Sequence, residues 1–151
     1  MLLQKKIKPP NTMRYLYLLL SILLITSSCS STDDDNQRNP FLLDVNFTLQ
    51  LSAIQVIDLE IPSNPIYVPN GGLRGFFVIN TGSGIFAWEA TDPNHTPNEC
   101  STMLIDGINV VCPCEGHSYN LFTGQSNEEG LEHTLLPYQV SVTGNNITVF
   151  N

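Results

Sequence analysis

Beyond residue 40, polar and apolar positions alternate or form short apolar runs rich in β-branched and aromatic side chains, a pattern typical of β-strands. The strands it predicts cover residues 42–51, 66–68, 75–80, 85–90, 108–111, 138–142 and 147–150. Clusters of Gly, Asn and Pro separate these segments and predict turns at residues 69–72, 81–84, 106–107 and 143–146. Because no segment in this part shows a long helical period, we expect an all-β domain built as a sandwich or barrel of short strands.

The start of the chain has a different pattern. Arg14 leads into an apolar run of about a dozen residues, too short to span a bilayer stably, which ends in the small residues before Cys29. This arrangement resembles the lipobox of bacterial lipoproteins, although Thr26 stands where Leu is usual. The resemblance implies a signal peptide over residues 1–28 and a lipid-bearing mature N-terminus at Cys29. An ordinary cleaved signal or an anchoring helix remains an alternative.

Residues 29–40 are polar and acidic and have nothing to bury, so we expect a flexible tether that leads to a folded domain over residues 41–151. The acidic cluster after Cys29 also resembles the surface-export signals of Bacteroidetes lipoproteins, whereas a plain solvated spacer is the simpler interpretation. Both interpretations place the domain in the bacterial cell envelope, on the outer membrane or the periplasmic side, anchored by lipid.

Charge limits the choice of partners. The whole chain has 6 basic and 14 acidic residues, and four of the basic ones lie within residues 1–28. The mature part then carries 2 − 14 = −12 formal charges and has no basic patch that could neutralise phosphates. We therefore expect no nucleic-acid partner, but a membrane contact through the lipid and an unidentified protein partner.

Three cysteines remain after Cys29, and in an oxidising compartment an odd count predicts one disulfide and one free thiol. Cys112 and Cys114 are separated only by Pro113, a spacing too tight for an easy bond between them. One of the two is therefore expected to pair with Cys100.

The segment 112–124, Cys-Pro-Cys-Glu-Gly-His-Ser-Tyr-Asn-Leu-Phe-Thr-Gly, resembles the second cluster-binding box of Rieske [2Fe–2S] proteins. The region from Asp92 to Cys100 lies where the first box of that family is expected, and residues 135–149 resemble the closing strands of the family. The resemblance implies a Rieske-like fold of small antiparallel sheets with two cluster-binding loops. It also implies a disulfide between Cys100 and Cys114 and an iron-ligating position at Cys112.

The ligand set implied by the resemblance is incomplete. A Rieske centre is held by two Cys on one iron and two His on the other. Here Asp92 maps to the first-box Cys, Asn94 or His95 maps to the first-box His, and Glu115 replaces the second-box His. Carboxylates are poorer ligands than thiolates for such a cluster. We therefore expect a cluster-free interaction or assembly module, with a [2Fe–2S] electron-transfer protein as the alternative.

A third interpretation uses the same loop residues as ligands of a single metal ion or as a redox sensor that depends on Cys112. Its candidate metal ligands are Asp92, His95, Cys112, Glu115 and His117. Against it, Asp92 is expected to cap a turn and both histidines to be solvated, as turn sequences allow. No Ser/His/Asp set, phosphate loop or zinc-protease motif supports catalysis, so at most an electron-transfer component of an oxidoreductase system is expected.

Overall fold

The computed structural model describes residues 39–42 and 45–151, which belong to one compact unit, 37–151. The predicted signal peptide and Cys29 lie outside the described residues. The strands are β1 (Thr48–Gln50), β2 (Ile66–Val68), β3 (Phe76–Asn80), β4 (Ile85–Glu89), β5 (Leu104–Asp106), β6 (Asn109–Val111), β7 (Ser118–Asn120), β8 (Pro137–Thr143) and β9 (Asn146–Phe150), and a short helix α1 covers Ala53–Asp58. Within the described ranges, no helix is long and apolar enough to cross a membrane.

The strands form two sheets in which every pairing is antiparallel. A six-stranded sheet has the order β1-β9-β8-β4-β3-β2, and a three-stranded sheet has the order β5-β6-β7. In the large sheet only two residue pairs, Ala87 with Tyr138 and Trp88 with Pro137, join β4 to β8. This architecture confirms the prediction of an all-β fold of small antiparallel sheets.

Strand β3 has apolar side chains on both faces, because each face covers a different core. Phe76 and Val78 point into a core inside the large sheet, whereas Phe77 and Ile79 point toward the three-stranded sheet. Successive side chains of a strand alternate between faces, so a continuous apolar run is the pattern of a strand buried on both sides. The uninterrupted run at 76–79 is thus explained by the position of β3 between the two cores.

The core between the two sheets supports the candidate site. Besides Phe77 and Ile79, it contains Trp88, Ala90, Met103, Val110, Cys112, Tyr119, Leu121 and Leu135, all of them buried. The Trp88 indole N–H donates to the Leu121 carbonyl at 2.7 Å, which satisfies its polar atom inside the core. The segments just before and after β5–β7 are therefore fixed against the large sheet.

The predicted strand over 42–51 is shorter in the structure. Only Thr48–Gln50 pairs with β9, and the chain then enters α1 at Ser52. Ser52 and Gln55 form a reciprocal capping box, a local signal for a helix start that the alternating pattern concealed. Strands β5 and β7 were not predicted, whereas the equally short β2 and β6 were. Strand β5 is exposed along its whole length, and β7 lies inside the cysteine-containing motif with one apolar residue, so neither has an alternating pattern.

Candidate functional site

Two loops meet at the end of the three-stranded sheet. L1 (residues 90–103) connects β4 to β5, and L2 (residues 112–117) connects β6 to β7. The disulfide implied by the resemblance is present and joins Cys100 of L1 to Cys114 of L2. Within L2, the Gly116 N–H donates to the Cys112 carbonyl at 2.9 Å and the Cys112 N–H to the His117 carbonyl at 2.8 Å, which makes a tight turn.

Asp92 is the acceptor at the centre of the loop pair. Its side chain is fully buried, and its Oδ1 accepts from the Tyr119 hydroxyl at 2.7 Å and from the Asn94 backbone N–H at 2.9 Å. Its Oδ2 lies 2.9 Å from His117 Nδ1. Because a carboxylate only accepts hydrogen bonds, Nδ1 is the protonated nitrogen of His117 in this contact. The cluster therefore ties L1 to both L2 and β7.

Asn94 extends this cluster to the segment before β8. Its amide nitrogen donates to the Tyr119 hydroxyl at 2.9 Å and to the His133 carbonyl at 2.7 Å. Its carbonyl oxygen accepts from the backbone N–H groups of Glu132 at 3.1 Å and His133 at 2.9 Å. The Asn94 side chain thus uses both its donor and its acceptor capacity within the fold.

The hydrogen bonds decide the charge state of Asp92. Burial by itself raises the pKa of this carboxyl group, but the Tyr119 hydroxyl, the Asn94 N–H, the Cys112 thiol and His117 together outweigh burial and lower the pKa below its ordinary value. At neutral pH the buried group is therefore an ionised carboxylate that is stabilised by several donors.

Cys112 is the free cysteine of the described residues and is 1% exposed. Burial raises the pKa of its thiol, and the hydrogen bond to the neighbouring Asp92 carboxylate raises it further. Because the thiolate is the form that attacks electrophiles and ligates metals, a protonated, buried Cys112 is weakly reactive at neutral pH. Burial also raises the pKa of Tyr119, so that its hydroxyl remains a donor to Asp92.

His95 and Glu115 face each other at the rim of the loops. His95 Nε2 lies 3.5 Å from Glu115 Oε1, and the Glu115 side chain is 53% exposed. On its other side, His95 Nδ1 lies 3.0 Å from the Ser101 hydroxyl. A pair with one partner in solvent contributes little to stability, typically about 0–1 kcal/mol. It is a second polar contact between L1 and L2, outside the buried cluster.

The five candidate metal ligands therefore fall into two sets. Asp92, Cys112 and His117 meet in the buried cluster, whereas His95 and Glu115 pair at the rim. Across 39–42 and 45–151, no three His, Cys, Asp or Glu side chains are arranged so that they could hold a metal ion.

Sequence reasoning did not single out the structural roles of Tyr119 and Asn94. The aromatic position in the motif was the available signal for Tyr119. No local pattern reveals the contacts of Asn94, because its partners His133 and Tyr119 are distant in sequence.

The residues present do not fit a Rieske cluster. A fit would require a second thiolate and two imidazoles that point at the irons. At the position of the first thiolate, the Asp92 oxygens are already used by protein donors, and at the position of the second imidazole the structure has the exposed Glu115. Of the four ligand positions that the resemblance implies, Cys112 alone has the required residue type and an unambiguous alignment, and it is buried.

A second buried acidic side chain, Glu89, lies at the end of β4, three residues before Asp92. Glu89 is fully buried and accepts from the backbone N–H groups of Leu73 at 2.8 Å and Arg74 at 3.2 Å. The hydroxyl groups of Thr91 at 2.6 Å and Tyr138 at 2.5 Å also donate to it. Glu89 therefore fastens the loop at residues 69–75 to the end of β4. The sequence analysis did not predict this role.

Comparison with known proteins gives similarity to solved structures only. Neither a protein-family model nor a curated protein matches the sequence. The complex of reduced oxygenase and oxidized ferredoxin in carbazole 1,9a-dioxygenase contains a chain with 23% identity and a TM-score of 0.49, over 68% of this chain and 92% of that one. The carbazole 1,9a-dioxygenase ferredoxin of Nocardioides aromaticivorans has 15% identity and a TM-score of 0.46, over 68% of this chain and 96% of that one. The plasma membrane Rieske protein of Synechocystis PCC 6803 has 23% identity and a TM-score of 0.45, over 72% of this chain and 100% of that one.

Proposed function

We propose that this protein is a lipid-anchored module of the bacterial cell envelope that binds or assembles other proteins, and that its Rieske-type loop pair works without an iron–sulfur cluster. The observation that carries the proposal is the state of Asp92. The residue at a cluster-ligand position is a buried carboxylate whose oxygens accept from Tyr119, Asn94 and His117.

In this proposal, protein contacts hold together the two loops that a cluster holds in the resembled family. The Cys100–Cys114 disulfide and the Asp92–His117 contact each join L1 to L2. Both contacts keep the loops in place without metal, because a disulfide restricts the unfolded chain and a satisfied buried network rigidifies the folded one. The loop pair then serves as a fixed surface feature.

An interaction role also agrees with the surface of the β5–β6 hairpin. Leu104 is 62% exposed, and Ile105 and Ile108 of the same hairpin are also exposed. Because successive strand residues point to opposite faces, Leu104 and Ile105 offer apolar surface on the two sides of β5. Exposed apolar side chains supply area that protein–protein contacts bury. The β5–β6 hairpin is followed directly by L2, so the exposed apolar residues and the loop pair are adjacent along the chain.

Replacement of Cys112 tests the cluster-free part of the proposal. We expect the Cys112→Ser variant of the full chain, purified without oxygen, to have the same iron content and the same visible spectrum as the wild type. Near-ultraviolet circular dichroism of both proteins shows whether the fold is retained. Iron or a visible band that is present in the wild type and absent from a folded C112S protein would instead favour electron transfer or metal sensing.

Replacement of Cys29 tests the anchor. We expect the wild-type chain to fractionate with membranes and its N-terminal peptide to carry lipid by mass spectrometry, because an acylated Cys after a signal peptide holds a protein at the bilayer. Cys29→Ala should lose the lipid, whereas C112S should retain it. An unmodified N-terminus at a residue other than Cys29 would refute the anchor.

A further inference from the structure

An open cavity lies between the loop at residues 69–75 and L1, and no residue of the Asp92 cluster lines it. Its volume is about 510 Å³, within the range of small-molecule pockets, which is about 300–1,000 Å³. It is lined by Tyr67, Pro69, Leu73, Arg74, Pro97 and Thr102. The lining combines one cation, two hydroxyl-bearing side chains and three apolar residues, and it includes no member of the Asp92 cluster.

Arg74 is the cation of this cavity, and it is exceptional in the domain. It is the one Lys or Arg among residues 39–42 and 45–151, which contain ten Asp and Glu. The ion pairs of these described ranges join His95 to Glu115 and His117 to Asp92, and neither involves Arg74. In a strongly acidic domain, an arginine that pairs with none of the surrounding carboxylates has its charge available for a ligand.

The backbone that carries Arg74 is held firmly. Its N–H and that of Leu73 donate to the buried Glu89 carboxylate. Its carbonyl accepts from the Tyr67 hydroxyl at 2.9 Å, and the Gly75 N–H closes the loop onto the Gly71 carbonyl at 3.0 Å. Backbone contacts thus position the residue and leave the guanidinium group unused, so the arginine side chain, and not the loop, has to be ordered when a ligand binds.

We infer that this cavity binds a carboxylate group carried on an apolar body, with Arg74 as its anion-binding residue. A planar guanidinium matches a carboxylate with two parallel N–H···O bonds. The Tyr67 ring and the two prolines line the same cavity and offer apolar contacts of limited area to the rest of the ligand. A small organic acid and the C-terminus of a peptide share this chemistry. The site shares Pro97 and Thr102 of L1 with the loop pair but no residue of the Asp92 cluster, and the inference does not depend on the absence of an iron–sulfur cluster.

Titration of the full chain with defined probes tests the inference. The probes are benzoate and a pentapeptide that ends in phenylalanine, the latter with a free or an amidated C-terminus. We expect benzoate, the free peptide or both to bind and to shift the amide resonances of Tyr67, Leu73 and Thr102, whereas the amidated peptide does not. Tighter binding of the peptide than of benzoate identifies a chain terminus, and the reverse identifies a small acid.

Two arginine variants show whether the guanidinium is responsible. Arg74→Ala should weaken binding of the carboxylate probe about tenfold or more, because a charge-assisted bidentate contact is lost. The R74A variant should keep the wild-type fold, because the contacts of residue 74 within the fold use backbone atoms. Arg38→Ala removes the same charge outside the described residues and should bind as the wild type does.

The inference is overturned by any of three results. One is that neither benzoate nor the free peptide binds, and another is that the amidated peptide binds as tightly as the free one. The third is equal binding by R74A and the wild type. Iron content does not enter into these outcomes, so failure here is distinguishable from failure of the proposed loop function.

Discussion

At the scale of single residues, Asp92 has the largest consequence for the function of the loops. The sequence indicated two alternatives for it, a turn cap and a metal ligand. The structure contains the cap, through the Asn94 N–H, and adds buried contacts to Tyr119 and His117. These contacts could not be predicted, because they link residues 25 and 27 positions apart and depend on the packing of β7 under L1.

Replacement of Asp92 by Asn keeps the shape of the side chain and removes the charge. We expect D92N to lower the free energy of unfolding by about 2 kcal/mol or more, because an amide group must face a donor that previously met a carboxylate oxygen. Urea unfolding measures the change. The matched control is Glu115→Gln at the exposed rim, which should change stability by less than about 1 kcal/mol. Equal effects of the two variants would show that the cluster does not hold the loops.

The lowered pKa of Asp92 predicts a specific acid dependence. The unfolded chain binds a proton at Asp92 near the ordinary value of about 3.9, whereas the folded protein binds it only at lower pH. The stabilisation from this group is therefore fully present above the unfolded value and is lost as pH falls through the folded one. Urea midpoints between about pH 6 and about pH 2 should show the stability gap between wild type and D92N narrowing at the acid end. A gap that stays constant would contradict this.

At the scale of elements, the sequence was most informative where strands are long or buried. The segments at 75–80, 85–90, 138–142 and 147–150 correspond to β3, β4, β8 and β9. Length alone did not decide the outcome, since the three-residue strands β2 and β6 were also predicted. Strands β5 and β7 were missed because they are held by pairing with β6 and have no alternating pattern of their own. The two loops and their disulfide were anticipated by the family resemblance and not by periodicity.

The disulfide gives a prediction for the loop pair. It closes a segment with a sequence separation of 14, for which the chain-entropy model gives about 3 kcal/mol. We expect the double variant Cys100→Ser/Cys114→Ser to lose about that much stability in urea unfolding. In the presence of a reductant, the wild type should fall to the level of the double variant, whose own stability should not change. A wild type that is insensitive to reductant would contradict a stabilising role.

The loop that carries Arg74 depends on a glycine without room for a side chain. Gly72 has φ +64°, and a Cβ added to it would lie 2.5 Å from Glu89 Oε2 and 2.8 Å from the Tyr138 hydroxyl. We expect Gly72→Ala to unfold at a lower urea concentration than Gly144→Ala. Its free energy of unfolding should be lower than that of Gly144→Ala by about 1–3 kcal/mol. Gly144 is the matched control, because its φ is +59° and nothing lies within 4 Å of an added Cβ. Equal midpoints would mean that Glu89 does not fix this loop.

At the scale of the whole molecule, two features of the domain surface share L1. L1 belongs to the loop pair, and its residues Pro97 and Thr102 also line the Arg74 cavity. At the start of the described residues, the Asn39 amide donates to the Pro93 carbonyl of L1 at 2.6 Å, and Phe41 packs against His133. The acidic composition and the motif were visible in the sequence, but the position of the Arg74 cavity beside L1, with no residue of the Asp92 cluster in its lining, required the fold.

We propose that protein contacts, and not an iron–sulfur cluster, hold the loop pair together. The content of iron and acid-labile sulfide in the wild-type full chain, extracted from membranes and purified without oxygen, decides between the two. We predict a colourless protein with only trace iron and no labile sulfide. Two irons and two sulfides per chain, with the visible spectrum of a Rieske centre, would contradict the account.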